Sequence, residues 1–318
     1  MKALLPGSPD DATKPVILGE APEPAPADDE LVISVEAYSV NRGETFQLDG
    51  QLDRTWPGWR PGKDVAGTVV RPAADGSGPA VGTRVVAHPP AFGWAERVAV
   101  ASESVAQLPD SVDSVTAAAL PLAGITALRL LRAAGPVAGR RVLITGASGG
   151  VGHYVTELAA SSGAAVTAVA ATLERGARLV ELGAVELVTS VAEAEGPYDI
   201  VLESVGGDSL PAALARLAPG GLLVWFGQAS RTPVTLNFFD FFKGPNQARI
   251  AHFDYTSSDS SDSSSTSYGS DLAALVRLVE AGRLHPEIGS VRDWSRTGEV
   301  IADLRARKVR GNAVLTLS

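Results

Sequence analysis

Residues 142–152 read Val142-Leu-Ile-Thr-Gly-Ala-Ser-Gly-Gly-Val-Gly152. The run opens on apolar residues suited to a buried strand. It closes on Ala147, Gly149 and Gly152, at the spacing G/A-x-G-x-x-G. Each small residue has its own reason to be small. Ala147 permits a tight turn, Gly149 lets a pyrophosphate approach the backbone, and Gly152 lets the following helix pack closely on the strand. Free N–H groups at the helix start then face a diphosphate, and the helix dipole adds up to about 2 kcal/mol. The stretch predicts a dinucleotide site.

Its surroundings supply the context that the spacing alone lacks. Strand-like apolar runs recur at residues 166–170, 185–188, 200–203, 222–226 and 250–253, with helical patterns at 154–161, 173–182 and 210–217. That alternation predicts an α/β unit, a doubly wound parallel sheet of six strands. Upstream the texture is β-rich. Residues 31–40 alternate with a period of two, and short runs follow at 65–70, 84–87 and 94–100, separated by Gly and Pro clusters. A small barrel or sandwich is expected there. Residues 256–270 hold nine serines and only Tyr268 as a large side chain, which predicts a mobile loop. Amphipathic helices near 271–281 and 297–307 and a last strand at 313–317 complete the chain.

Composition narrows the chemistry. The 318 residues include no cysteine, which excludes disulfides, a thiol nucleophile and cysteine-ligated zinc. With 27 basic against 36 acidic side chains the formal charge is −9, a poor match to a nucleic-acid backbone. Met1 to Gly7 do not form a signal peptide, and no apolar run is long enough to span a bilayer. A cytoplasmic protein with no membrane and no nucleic-acid partner is expected.

The second strand of the sheet selects the nucleotide. An NAD site has Asp or Glu at that strand's end. Here the strand ends Val169-Ala170-Ala171-Thr172, with Arg175 and Arg178 just beyond. A carboxylate about 5 Å from a 2′-phosphate would cost about 3 kcal/mol per unit charge at an effective dielectric near 20. An arginine gains a similar amount before desolvation, with a fork suited to phosphate. NADP is favoured over NAD, with Glu174 partly neutralising the pair.

Several further stretches carry a family likeness: Val40-Asn-Arg-Gly-Glu44, Pro61-Gly-Lys-Asp-Val-Ala-Gly67, Gly93-Trp-Ala-Glu96, Leu120-Pro-Leu-Ala-Gly-Ile-Thr-Ala127, Glu181-Leu-Gly-Ala184, Glu203-Ser-Val-Gly-Gly207 and Gly311-Asn-Ala-Val-Leu315. With 145–152, their order and spacing resemble the zinc-independent quinone oxidoreductase branch of the medium-chain dehydrogenase/reductases over nearly the whole chain. The resemblance implies a GroES-like β-rich substrate domain at 1–121 and 269–318, a Rossmann domain at 122–268, a cleft between them, and a homodimer paired through the strand at 250–253. It implies NADP(H) as cofactor. Thr126 then stands near the nicotinamide ribose or carboxamide, and Ser148, Gly149, Gly150 and Val151 on the diphosphate. Arg175 stands at the 2′-phosphate, and Thr172 belongs to the cofactor set. Ser190 stands where some relatives carry an aromatic residue beside adenine, Val205 and Gly206 at the adenosine half, and Phe226, Gly227 and Gln228 at the nicotinamide. Asn312 joins the cofactor set, and Asn41 becomes a polar contact to nicotinamide or substrate.

The departures are as informative. Gly62-Lys63-Asp64 replaces the Gly-His-Glu of zinc-dependent relatives, and His88, His153, His252 and His285 have no ligand spacing. No metal is expected, and each histidine is read as surface or packing. Asn41-Arg42-Gly43-Glu44 lacks the family's proline, and Phe46 stands where relatives carry a tyrosine, so no proton donor is assigned. Without a Lewis acid, the expected reaction is hydride transfer from NADPH to a carbon that is already electrophilic, in a quinone or an enone. Asn41 or a backbone N–H is the expected partner of the developing oxyanion. Trp56, Trp59, Phe92, Trp94, Phe238, Phe239, Phe241 and Phe242 are candidates for an apolar pocket that takes a flat substrate, or else for core and dimer contacts. Alternatives are an enoyl reductase or cofactor-assisted rearrangement enzyme of secondary metabolism and, in another class, a non-catalytic NADPH-binding redox sensor.

Overall fold

The computed structural model describes residues 1–8, 14–50, 58–242, 245–256 and 266–317. They form two compact units, Met1–Ile125 with Ser260–Ser318, and Thr126–Asp259. The sequence reading put these divisions at 121/122 and 268/269. The helix Pro121–Ala134 runs unbroken through the first of them, and most of the serine-rich stretch, residues 257–265, lies outside the described residues together with Trp56.

The Thr126–Asp259 unit is built on six parallel strands. Across the sheet they run Ala184–Val188, Ala165–Val169, Arg141–Ile144, Tyr198–Glu203, Leu217–Trp225 and Arg249–His252. The order steps outward from Arg141–Ile144 in one direction, then returns to continue on its other side with Tyr198–Glu203. This is the doubly wound arrangement, with its switch point between those two central strands. Both are buried on both faces: Val142, Leu143, Ile144, Val201 and Leu202 are fully covered, which accounts for their uninterrupted apolar sequences. The helical pattern at 210–217 is realised only as Ser209–Leu214. Leu217 instead pairs with Tyr198 and begins the fifth strand, whose register slips before Leu222 meets Ile200. Sheet pairing overrides the local pattern there.

The other unit carries a sheet of seven strands. Its path runs Ile288–Asp293, Asn312–Thr316, Glu30–Ser39, Val65–Arg71, Arg84–Ala87 and Val105–Gln107, with Arg97–Ala101 also paired to Glu30–Ser39. The last strand enters beside the long early one, Val314 opposite Ser39, so both chain ends build one sheet. Leu31, Ile33, Tyr38, Val65, Trp94, Ile301 and Leu315 form its core. The hairpin Lys2–Pro6 with Val16–Glu20 and the strand Ile288–Asp293 have no counterpart in the sequence reading. They are short, Pro- or Gly-bearing and half-exposed, so neither periodicity nor apolar content marks them.

Candidate dinucleotide site and a buried acid cluster

The turn after Arg141–Ile144 lies at the carboxyl end of a central strand, at the switch point. Gly146 turns the chain at φ +63°, and a Cβ there would lie 2.5 Å from Ser204 Oγ. Ala147 N donates to Val169 O at 3.0 Å, tying the turn to the neighbouring strand. Gly149 caps the helix Gly150–Ser161. A Cβ on Gly152 would fall 2.4 Å from Ala147 O and 2.5 Å from Ala147 Cα, so only glycine lets this helix start against the turn. On Gly149 a Cβ would meet only Gly146 O at 3.4 Å, an ordinary contact. One glycine is required by the fold; the other leaves open backbone. The first N–H groups of the helix have no intrahelical acceptor, which is the donor set that a diphosphate needs.

Glu203 organises the adjacent loop. It is fully buried at the end of Tyr198–Glu203. Its Oε1 accepts from Thr145 Oγ1 and Val205 N, both at 3.0 Å, and its Oε2 from Gly206 N at 2.9 Å. Ser204 N donates to Thr145 Oγ1, and Ser204 Oγ donates to Thr145 O. Val205 and Gly206, expected at the adenosine half, are thus held against the 145–152 turn by side chains assigned no role in the sequence reading. Phe226 N donates to Glu203 O, Ala229 N to Ser204 O and Ser230 N to Val205 O, so the segment from Phe226 onward is tied to the same loop, while Gln228 Nε2 donates locally to Thr232 O.

The remaining expected residues of this unit occupy strand ends and helix starts. Thr172 caps Leu173–Glu181, its hydroxyl accepting from Arg175 N. Arg175 is half-buried one turn in, whereas Arg178 is engaged with Glu181 at 2.6 Å. Ser190, half-buried, precedes the short 3₁₀ turn Val191–Glu193. Thr126 is 6% exposed, and its Oγ1 has no hydrogen-bond partner among the described residues. A buried hydroxyl left unpaired costs about 1–3 kcal/mol, which a ligand contact would relieve.

Asn41 and Asn312 belong to the β-rich unit. Asn312 is buried, with Nδ2 donating to Glu287 O at 3.1 Å. Asn41 is the N-cap of a short helix, Arg42–Leu48, which forms without the proline seen in relatives. Its Nδ2 donates to Asp64 Oδ2 at 2.6 Å and to Ser39 Oγ at 3.3 Å. Both amide hydrogens are therefore committed, and its side chain also caps the backbone of Glu44, so Asn41 is corrected from an oxyanion donor to a member of this local network.

Around it lies an acid cluster that the sequence reading did not single out. Asp64 and Glu44 are both fully buried. Asp64 Oδ2 also accepts from Ser39 Oγ at 2.5 Å, and its Oδ1 accepts from Leu122 N at 2.9 Å and lies 3.3 Å from His88 Nδ1. Glu44 Oε1 accepts from Gly62 N and Lys63 N, both at 3.0 Å, and its Oε2 from Asn41 N at 2.9 Å. Burial, reinforced by the Asp64 charge, pushes the Glu44 carboxyl up to about 8 despite these donors. His88 is buried in this cluster, edge-on to Tyr268. His153 is likewise buried, bonding to Gly149 O, whereas His252 and His285 are exposed.

The aromatic candidates divide. Trp94 is core, stacked on Tyr38 with Nε1 donating to Ser39 O, and Trp59 is buried. Phe92 is half-buried, with the Arg60 guanidinium over its ring. Phe241 packs against the core of the dinucleotide unit, whereas Phe238, Phe239 and Phe242 are about 70% exposed.

A doubly wound sheet with a phosphate-cradling turn at its switch point, together with a β-rich unit made from both chain ends, defines a two-domain dehydrogenase/reductase. Residues 27–116 match the alcohol dehydrogenase GroES-like domain, and residues 182–315 match the zinc-binding dehydrogenase family. The quinone oxidoreductase of Sus scrofa is 30% identical over 310 residues, covering 92% of this chain and 91% of that protein. Its Homo sapiens counterpart is 30% identical over 292 residues, covering 87% and 85%. Among solved structures, the quinone oxidoreductase of Coxiella burnetii superposes with a TM-score of 0.84 at 25% identity, covering 100% of this chain and 99% of that one. Mycobacterial Rv1454c complexed with NADPH gives 0.85 at 26% identity, covering 99% and 100%. The chain belongs to the quinone oxidoreductase branch of the medium-chain dehydrogenase/reductase superfamily. Zinc, which the family description implies, does not fit the residues present. The chain has no cysteine, position 63 is lysine, and among the described residues no three His, Cys, Asp or Glu side chains group to hold a metal. No helix among the described residues is long and apolar enough to cross a membrane.

Proposed function

We propose that the protein is an NADPH-dependent, zinc-independent oxidoreductase that reduces a quinone or a conjugated C=C bond. The observation that carries this reading is the turn at Ala147–Gly152, where Gly152 is locked against Ala147 and open backbone is left at Gly149. Ser148, Gly149, Gly150 and Val151 would hold the diphosphate. Thr172 and Arg175 would hold the 2′-phosphate, and no acidic side chain stands at the end of Ala165–Val169 to repel it. The orphan Thr126 hydroxyl fits a polar group of the nicotinamide half. When bound, NADPH supplies the hydride. A quinone or enone accepts it at carbon, moves an electron pair onto its carbonyl oxygen, and takes the balancing proton from solvent. Solvent fills that role because Asn41 has no free N–H, Phe46 has no hydroxyl, and Glu44 and Asp64 are fully buried.

The same reading makes the protein a cytoplasmic homodimer. Support for a small apolar substrate comes from the quinone oxidoreductase relatives. The test is stopped-flow loss of NADPH absorbance across a panel of quinones and enones. Oxidation by at least one acceptor class, with NADPH preferred over NADH, is the expected result. Tight NADPH binding without turnover on any acceptor would instead assign a redox-sensing role.

A further inference from the structure

Asp64 is a buried carboxylate that the proposed reaction does not use, yet it accepts from three donors on two separate segments. Oδ2 fixes the amide end of Asn41 and the Ser39 hydroxyl. Oδ1 accepts from Leu122 N in the first turn of Pro121–Ala134, beside His88. The first N–H groups of a helix have no partner within it, and an anion there also meets the positive end of the helix dipole. Leu122 and Thr126 are four residues apart, so they share one face of this helix, one turn from each other. Thr126 Oγ1 is the buried hydroxyl without a partner among the described residues.

We propose that Asp64 is a positioning residue. One carboxylate fixes the amide of Asn41 and holds the first turn of the helix that carries Thr126, and so sets how the Thr126 hydroxyl is offered. The proposal rests on NADPH binding at Ala147–Gly152 and adds a residue outside that turn which governs its affinity.

A double-mutant cycle on NADPH affinity, read by quenching of protein fluorescence, tests it. Asp64→Asn is isosteric and removes the charge; Thr126→Val removes the hydroxyl and keeps the shape. Each single variant is expected to weaken NADPH about fivefold, the size of one lost hydrogen bond. The double variant should also lose about fivefold, because both changes remove the same contact. A loss of about 25-fold in the double variant would overturn the proposal, as would an unchanged affinity in Asp64→Asn. Should Asp64→Asn fail to fold, Ser39→Ala takes one donor from Asp64 and leaves the carboxylate in place. An effect of about twofold that vanishes in the Thr126→Val background is expected, and independence of the two changes contradicts the proposal. Wild-type protein that binds no NADPH would refute the functional reading itself, which is a different outcome from either result of the cycle.

Discussion

Glu44 takes the position of an acid in a short capping turn, but its surroundings make it a different group from a surface carboxylate. Three backbone N–H groups favour its ionised form, while complete burial and the neighbouring Asp64 oppose it, and the latter prevail. A carboxyl whose folded value is raised from 4.5 to about 8 binds more protons in the native state than in the unfolded state throughout that interval. Its stabilising contribution is complete below about pH 4.5 and is lost as pH rises through about 8. The melting temperature of the wild type is therefore expected to fall between pH 5 and about pH 8. Glu44→Gln should be less stable at pH 5, where its amide places hydrogens against backbone N–H groups, and should show a flatter pH profile. Parallel profiles for the two proteins would contradict the assignment.

At the level of the element, the strand–turn–helix at 141–161 shows what local sequence can and cannot tell. Its glycine spacing is legible because each requirement is met within eleven residues, and the structure separates the roles. Gly152→Ala places a methyl group inside the Ala147 backbone, so a loss of about 3 kcal/mol in unfolding stability is expected by denaturant titration. Gly149→Ala meets only an ordinary contact at φ −84°, a conformation alanine adopts freely. It should fold as stably as the wild type yet bind NADPH about tenfold more weakly, because the methyl group stands where the diphosphate approaches. Equal affinity in that variant would remove Gly149 from the site. The Asp64 cluster was not legible in this way. Its members come from residues 39–44, 62–64, 88 and 122, and they meet only through strand pairing such as Ala66 with Ala37 and Ala87 with Val65. Glu203 was hidden for a related reason: its carboxylate reaches back to Thr145 across two parallel strands.

For the whole molecule, alternation of strand and helix over residues 141–253 was sufficient to predict a doubly wound sheet of six parallel strands, whereas the switch point between its two central strands emerges only from their order across the sheet. The β-rich unit was less readable, because its strands are short and its sheet is completed by residues 312–316, nearly 300 positions after the first strand. The family relationship accounts for the two-unit plan, while Gly62-Lys63-Asp64 and the absence of cysteine set this chain apart from zinc-dependent relatives. The account depends centrally on where the nucleotide lies. A crystal of the full-length protein soaked with NADPH measures this directly. Density for the diphosphate is expected over the N–H groups of Ser148–Val151, with the 2′-phosphate at Arg175 and the nicotinamide half reaching the Thr126 hydroxyl. Nucleotide bound elsewhere, or a turn at Ala147–Gly152 that stays empty at saturating NADPH, would contradict it.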